Sequence, residues 1–464
     1  MSTSRTTAVS APGKVLLTGG YLVLDRHYTG LVFGLDARIH VHVKPLSTIP
    51  GVSLSEIIVR SPQFRDAEWR YGYRLAEHDG GIEVTQLKGS STTSLSRNPF
   101  VETALSYALT YVSSLGSPNF EPSLITILAD NDYYSQPNSN STQIAGKGDR
   151  FINFHVPLYE AHKTGLGSSA ALVTAFTAGI LAHYAPQKDF ISTDAGKAIL
   201  HNLAQAAHCA AQGKVGSGFD VAAAVYGSSV YRRFSPSILE ALGEKNSSSF
   251  ATRLKDVVEN SLESAKWDTE IIKSAVSVPR GVRLVMCDVD CGSQTVGMVK
   301  KLLSWRKENP KHANDLWSSL QQNNEALSHA LVTLARRGLK SDDDLQLLRT
   351  SISDIRSLIR EMSTAADVPI EPKSQTDLLD ACSQLPGVVG GVVPGAGGFD
   401  AVALLIKDKE EVLLGLQKFL EDWKVTVDDS SAGSRIGRVR LLGVRQDMEG
   451  VRMEKDDEYG DWTR

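Results

Sequence analysis

The sequence predicts two α+β domains, residues 1–240 and 241–464, and three observations lead there. Strand-like runs fill the N-terminal third, and small-residue helices opened by glycine turns follow them. A charged, serine-bearing segment, Ser235–Val278, then separates these from a second alternation of helices and strands. A chain of 464 residues, at about 100–200 residues per domain, has room for two to four domains and a large core. No repeat at a period of about 20–50 residues is visible, which argues against a solenoid or a propeller.

Taken in order, Val15-Leu16-Leu17 leads into Gly19-Gly20, Tyr21-Leu22-Val23-Leu24 continues as strand, and Ile39–Val43 alternates polar with apolar residues. The polar stretches Ser90–Ser96 and Tyr133–Arg150 read as surface loops. Between them, Asn98-Pro99 is a start signal for a helix running to Val112. A glycine and serine turn at Gly165 opens a helix to Tyr184 that is rich in alanine, and a further helix covers Asp194–Gln212 and stops at Gly213. Gly216-Ser217-Gly218 opens a short Ala-rich helix ending near Gly227, and Ser229–Phe234 reads as strand. Ser235–Val278 is helical in pattern and fits an inter-domain segment. Beyond it, the spacing predicts strands at Arg283–Val289, Val388–Val393 and Ala401–Ile406, with helices near Thr295–Lys307, Asn314–Arg336 and Asp342–Ser363.

Composition removes several classes of function. Hydrophobic residues make up 42% and charged residues 22%, which is ordinary for a globular chain. No run approaches the ~20 apolar residues a membrane span needs. Met1–Ser10 lacks the apolar core of a secretory signal. Four cysteines are too few for a disulfide framework in a chain of this length, so a reducing, cytoplasmic setting is expected. With 49 basic and 53 acidic side chains, the net charge of −4 points to neither nucleic acid nor a membrane surface as partner. Any anion must be handled by a local site.

Four stretches carry chemistry. In Lys163-Thr164-Gly165-Leu166-Gly167-Ser168-Ser169-Ala170-Ala171, two glycines let backbone N–H groups approach a ligand, and the serines are expected to cap the helix that follows. The helix dipole and free N–H groups then suit phosphate. Either Ser168 or Ser169 has the hydroxyl to join a Mg²⁺ whose other ligands come from substrate phosphates. Gly-x₄-Gly-Lys-Ser/Thr is absent, so this is not a Walker A loop; with Ala170 at the sixth position and no early Gly-rich strand–helix unit before it, it is not a Rossmann fingerprint either. By itself the stretch also suits a plain glycine turn before a closely packed helix.

Ala11-Pro12-Gly13-Lys14-Val15-Leu16-Leu17 sets a lysine in an apolar strand, where its charge needs either a polar cleft or a solvent-facing edge. Lys214-Val215-Gly216-Ser217-Gly218-Phe219-Asp220 puts Asp220 in the first turn of a helix, a position that also favours acidic residues electrostatically. Val393-Pro394-Gly395-Ala396-Gly397-Gly398-Phe399-Asp400 is a glycine-dense connection between two apolar runs.

Taken together and in this order, these motifs resemble the signature motifs of the GHMP kinases, over Ala11 to about Ile406. Within that superfamily the chain resembles the phosphomevalonate kinases of the fungal branch. The resemblance rests on Gly19-Gly20-Tyr21-Leu22-Val23-Leu24, Lys163, Gly218–Gly227, Tyr231-Arg232-Arg233-Phe234, Gly292-Ser293-Gln294-Thr295 and Pro394–Asp400. The acidic-histidine pair usual in mevalonate kinases and the Trp-Gly-Lys-Arg run of the diphosphomevalonate decarboxylases are both absent after the first motif. Phe399 stands where bacterial relatives tend to have a third glycine, which leaves the backbone path after Gly398 open.

The resemblance implies an N-terminal mixed α/β domain, a C-terminal ferredoxin-like α+β domain and ATP in the cleft between them. The implied reaction moves the γ-phosphoryl group of ATP onto 5-phosphomevalonate, with ATP and Mg²⁺ required. It assigns catalysis to Lys14 and Asp220, with Asp220 either orienting Lys14 and the acceptor or taking a proton. Gly165, Leu166, Gly167, Ser168, Ser169 and Ala170 wrap the ATP phosphates, Lys163 meets their charge, and Asn98 is a nucleotide contact. Lys14, Tyr21, Ser217, Ser293, Thr295 and Ala396 line the acceptor, together with either Arg232 or Arg233, since alternate strand residues face opposite ways. A small-alcohol kinase such as mevalonate kinase and a non-catalytic metabolite sensor are the competing readings. The remaining features read as structural. His40 and His42 lack a third ligand for zinc, Cys287 and Cys291 read as packed thiols, and the sequons at Asn140 and Asn246 are expected to stay unmodified. Lys455-Asp456-Asp457-Glu458 reads as a solvated tail.

Overall fold

In the computed structural model, residues 6–46, 56–87, 96–116, 120–135, 150–186, 189–290, 297–423 and 438–463 are described. Most of the loops expected at Ser90–Ser96 and Tyr133–Arg150 lies outside them, as do Cys291, Ser293, Thr295 and the Asn140 sequon.

The N-terminal half is built on two long apolar strands, β1 (Thr7–Thr18) and β2 (Gly30–Pro45), paired antiparallel along nearly their whole length. Strands β3 (Glu56–Arg60), β4 (Glu68–Leu75), β5 (Ile82–Gln86) and β6 (Ser123–Ala129) extend the sheet in the order β2-β6-β3-β4-β5, with β3 and β6 parallel. Helix α1 (Pro99–Ser114) begins as expected, its Asn98 side chain accepting from the Val101 N–H at 3.3 Å. Two short strands, β7 (Tyr134–Ser135) and β8 (His162–Lys163), form a separate antiparallel pair leading into the glycine loop.

Helices α2 (Ser168–Tyr184), α3 (Asp194–Gln212) and α4 (Phe219–Tyr226) cover the sheet. Small residues explain how closely α2 lies: a Cβ on Gly179 would meet Val41 of β2 at 3.0 Å. Thr193 caps α3 through the Gly196 N–H, and Gly213 ends it in the left-handed conformation, φ 66°. Strand β9 (Ser229–Arg232) then pairs with β2.

The segment expected to lie between domains is instead partly built into this sheet. It holds α5 (Ser237–Glu240) and α6 (Phe250–Val258), and β10 (Glu270–Ile272) pairs antiparallel with β9. A cut at residue 240 therefore falls ahead of a strand that belongs to the N-terminal sheet. The physical reason is that β9 would otherwise leave an unpaired edge.

The second sheet, in the order β12-β13-β11-β14, is antiparallel and comprises β11 (Val282–Asp290), β12 (Val388–Val392), β13 (Ala401–Lys407) and β14 (Arg438–Leu441). Around it pack α7 (Met298–Glu308), α8 (Pro310–Arg337), α9 (Asp343–Ala366), α10 (Lys373–Ser383) and α11 (Glu410–Asp422). The chain then returns to the first sheet: β15 (Gln446–Asp447) pairs with β2 and β16 (Arg452–Met453) with β1. The run Lys455-Asp456-Asp457-Glu458 is exposed as expected, but the segment it opens is docked rather than free. Residues Asp456–Thr463 form a 3₁₀ segment whose Tyr459 is buried against His40, His42 and Phe151. Likewise Leu22–Leu24, expected as strand, is a single 3₁₀ turn, because Tyr21 at φ 64° bends the chain there.

Candidate active site

Two glycine-opened helices and one strand meet at the site. The N-termini of α2 and α4 share a feature that α1 and α3 lack: the N-cap is a left-handed glycine, Gly167 (φ 80°) or Gly218 (φ 84°), and no side chain caps either end. The serines expected to cap α2 lie inside it, Ser168 being its first residue. Several first-turn N–H groups of a buried helix are thereby left for a ligand, in the direction the helix dipole favours for an anion.

Lys14 comes to this point from β1. Its backbone N–H donates to the Leu166 carbonyl at 2.9 Å, and its ammonium donates to the Gly165 carbonyl at 3.1 Å. The aliphatic stem crosses directly over Gly167, where any Cβ would lie 2.8 Å from Lys14 Cε. Gly167 is therefore required twice, for its positive φ and for the passage of the lysine. Gly13 is equally constrained, since a Cβ there would meet the Tyr133 hydroxyl at 2.9 Å and the Leu166 carbonyl at 3.0 Å. Burial lowers the pKa of Lys14, while the nearby Asp220 charge opposes that shift. Asp220 sits in the first turn of α4, its Oδ1 accepting from the Val221 N–H at 3.0 Å. Gly218 before it has no room for a side chain: a Cβ would meet the Tyr231 hydroxyl at 2.7 Å and Gln205 Oε1 at 2.8 Å.

Beside the α2 N-terminus opens a pocket of about 590 Å³ with Trp69, Phe100 and Tyr134 in its walls. Asn98, Lys163, Ser168 and Ser169 also line it, so these four expected nucleotide residues are brought together. Lys163 is exposed. The side-chain oxygen of Asn98 is committed to capping α1. The two serines part company: Ser169 Oγ lies 3.1 Å from His208 Nε2, whereas Ser168 shares the pocket wall with Tyr134. Leu166 is buried and holds the loop to the core, and Ala170 packs inside α2.

On the acceptor side the expected residues are mostly held through backbone. The Tyr21 hydroxyl, on a buried ring, donates to the Ala396 carbonyl at 2.7 Å and ties the glycine-dense loop to the N-terminal half. Gly395 N–H donates to the Leu16 carbonyl at 3.1 Å, so β1 carries both Lys14 and the anchor of that loop. Phe399 turns inward and is buried, its carbonyl accepting from Gln375 Nε2 at 2.6 Å. The Ser217 carbonyl accepts from the Tyr231 hydroxyl at 2.7 Å. Arg232, expected at the acceptor, is instead engaged with the Glu270 carboxylate at 3.0 Å and with the carbonyls of Arg26 and His27. Arg233 donates to the carbonyls of Leu24, Val215 and Gly216, which steadies the loop before Ser217. Both guanidiniums are thus spent on the scaffold because β10 and the Leu24 turn, neither legible as such in sequence, supply acceptors within reach.

Residues 146–228 match the family described as GHMP kinases N terminal domain, and residues 345–424 match GHMP kinases C terminal. Over 99% of both chains the sequence is 54% identical to phosphomevalonate kinase ERG8 of Gibberella zeae. The chain belongs to the phosphomevalonate kinases. Its likeness to the phosphomevalonate kinase of Aspergillus fumigatus is 50% over 98% of each chain. A crystal structure of the Streptococcus pneumoniae phosphomevalonate kinase, in complex with phosphomevalonate and AMPPNP, aligns with a TM-score of 0.56. That alignment has 16% identity and covers 94% of this chain and 99% of the other, so it speaks for the fold. The phosphomevalonate kinase fold accordingly has the two expected parts, a mixed helix-and-sheet N-terminal part and a C-terminal α+β part. Sequence reasoning gave no pointer to His208, Tyr134 or Phe100, which reach the site from α3, β7 and α1. The one available signal was the helical spacing of Gln205, His208 and Gln212 on the buried side of α3.

Proposed function

We propose that the chain transfers the γ-phosphoryl group of ATP to the phosphate of (R)-5-phosphomevalonate, giving (R)-5-diphosphomevalonate and ADP. The observation that carries this reading is 54% identity, over 99% of both chains, to a curated phosphomevalonate kinase. The geometry supports it. The aromatic pocket beside Asn98 has the walls for an adenine ring, and the uncapped N-terminus of α2 suits the phosphates that follow it. Among the described residues no three His, Cys, Asp or Glu side chains gather into a metal cage. Two serine hydroxyls and one carboxylate are the donors present, which fits Mg²⁺, since that ion takes one or two protein oxygens and completes its shell with phosphates. When bound there, the ion neutralises charge on the transferring group.

The acceptor is itself a phosphate monoester, with a second pKa of about 6, and is largely ionised at neutral pH. One of its oxygens forms the new bond to the γ-phosphorus as the bond to the β-phosphate oxygen breaks, and ADP leaves with that electron pair. No proton need be removed, so repulsion between two polyanions is the main obstacle. Lys14 meets that obstacle by placing an ammonium between acceptor and transferring group. Asp220 holds Lys14 charged against the burial that lowers its pKa. Ser217 and Ala396 position the acceptor from loops that Tyr231, Arg233 and Tyr21 hold in place. The buried, unpaired thiols of Cys209, Cys287 and Cys382 support a cytoplasmic location.

The test is to incubate the chain with ATP and Mg²⁺ and either mevalonate or 5-phosphomevalonate, measuring ADP. Release with 5-phosphomevalonate alone is expected. Release with mevalonate alone would overturn the reading in favour of an alcohol kinase, and release with neither would favour a sensor.

A further inference from the structure

We infer that His208 is a positioning residue that orients the Ser169 hydroxyl toward the nucleotide-bound metal. The inference rests on the proposed reading of Ser169 as a Mg²⁺ ligand. His208 lies on α3 and is 2% exposed, so its polar atoms must find partners inside the protein. Nε2 lies 3.1 Å from Ser169 Oγ and 3.2 Å from Gln212 Nε2. Nδ1 lies 4.0 Å from Asp220 Oδ2. The ring stacks on Phe100, at 5.7 Å between centroids and 29° between planes, and Phe100 in turn lines the nucleotide pocket. One imidazole thus touches the metal side of the glycine loop and the wall of the base pocket, and its far nitrogen faces the catalytic carboxylate.

The chemistry follows from which nitrogen holds the proton. Nε2 has one lone pair to offer, and of its two neighbours the nearer is the Ser169 hydroxyl, at 3.1 Å against 3.2 Å for the Gln212 amide; a bare Nε2 accepts from the serine, with the ring proton on Nδ1. A serine hydroxyl that ligates a cation through its oxygen must send its own proton elsewhere. His208 Nε2 is placed to receive that hydrogen bond, leaving the Ser169 lone pairs free to turn toward the ligand. Ser168 has no such contact with His208, which meets Ser169 alone of the two. The structure therefore separates two serines that are equivalent in sequence, and it assigns Ser169 the metal.

The experiment uses full-length enzyme and compares His208→Phe, which keeps the stack on Phe100 but has no nitrogen, with His208→Gln, whose amide oxygen can accept from Ser169. Two affinities are measured, for Mn²⁺·ADP and for ADP in excess chelator, alongside the thermal midpoint and kcat. Partners behind a metal ligand commonly change metal affinity by about 10–100-fold. The expected result is that His208→Phe weakens Mn²⁺·ADP about tenfold or more, leaves metal-free ADP unchanged and lowers kcat, while His208→Gln recovers most of the loss. A Mn²⁺·ADP to ADP ratio equal to wild type in His208→Phe overturns the inference, as does an equal loss of both affinities without rescue by His208→Gln. Ser169→Ala serves as the reference. If it alters the ratio and His208→Phe does not, the inference alone falls. If Ser169→Ala leaves the ratio unchanged, the metal reading of Ser169 falls and takes the inference with it.

Discussion

At the level of single residues the site is governed by what must pass close to what. Lys14 reaches the glycine loop only because Gly167 has no side chain beneath its stem, where a would-be Cβ would lie 2.8 Å from Cε. Gly167→Ala adds left-handed strain of about 1–2 kcal/mol and pushes the ammonium aside. A displacement of about 1 Å can cost about 10²-fold in rate, so kcat is expected to fall by that order with the fold retained by circular dichroism. Lys14→Met removes the cation outright, and kcat is expected to fall about 10³-fold with little change in ADP affinity measured by calorimetry. A near-normal kcat would remove Lys14 from the mechanism. Asp220→Asn is expected to be milder, because the acceptor arrives already ionised. Abolished turnover with intact ligand binding would instead make Asp220 an obligatory base. Lys14 stands out as a lysine in an apolar strand and the glycine loop by its composition, whereas Asp220 suits a helix first turn and stands out only through the family pattern. The choice between Arg232 and Arg233 was not legible, because the partners of Arg232, Glu270 and the Arg26 and His27 carbonyls, belong to elements whose positions depend on tertiary pairing.

At the level of elements the contrast among helix starts carries the functional message. Helices α1 and α3 have side-chain caps, Asn98 and Thr193, and α2 and α4 have none. Capping satisfies orphan N–H groups, so a glycine start without a side-chain cap at the half-buried beginnings of α2 and α4 leaves donors open to a ligand, a feature that the Gly297 start of α7 shares. Asn98→Ala separates the two kinds of start. It is expected to cost about 1 kcal/mol of stability through α1, read by denaturant titration, while affinity for the isolated triphosphate group (tripolyphosphate) stays unchanged. Weakened tripolyphosphate binding would place Asn98 at the phosphates. Most helix limits were readable from caps and glycine stops, and α3 ends at Gly213 as expected. Strands β10, β15 and β16 were not, because runs of two or three residues have no periodicity of their own and exist only through the partner they complete. Helix α11 also escaped, lacking a glycine or proline stop at either end, and α10 escaped although Pro372 stands at its start.

At the level of the whole molecule, the C-terminal segment binds the two sheets together. From β14 the chain passes Gly443, whose N–H donates to Asp132 Oδ1 at 2.8 Å, and Gln446, whose side chain accepts from the Leu284 N–H at 3.1 Å. It ends by surrounding Arg38, which is 1% exposed and bonded to Ser10, Asp447 and the Gly450 carbonyl. Deleting residues 446–463 removes the Asp447 and Gly450 partners of that guanidinium and uncovers the strands beneath them, so the thermal midpoint is expected to fall. A thermal midpoint within a degree of the full chain would disprove this role. Acid should act on the same core. Burial lowers the pKa of His40 and His42, and takes that of His201 down to about 4. Each stays neutral in the fold while the unfolded chain protonates it, so stability is full above about pH 6.5 and falls as pH drops toward 4. Urea midpoints at pH 7.5, 6 and 5 should decline in that order, and His201→Gln should flatten the slope; a midpoint that rises on acidification would contradict it. The sequence by itself determined the family, the two-part α+β plan, and the placing of Lys14, Asp220 and the glycine loop, since those depend on local backbone demands and short-range spacing. Only the tertiary structure decided which serine meets His208, where the arginines go, and that the acidic tail is a clasp. Those outcomes depend on groups tens to hundreds of residues apart in sequence, brought within hydrogen-bond reach by sheet pairing that no local pattern encodes.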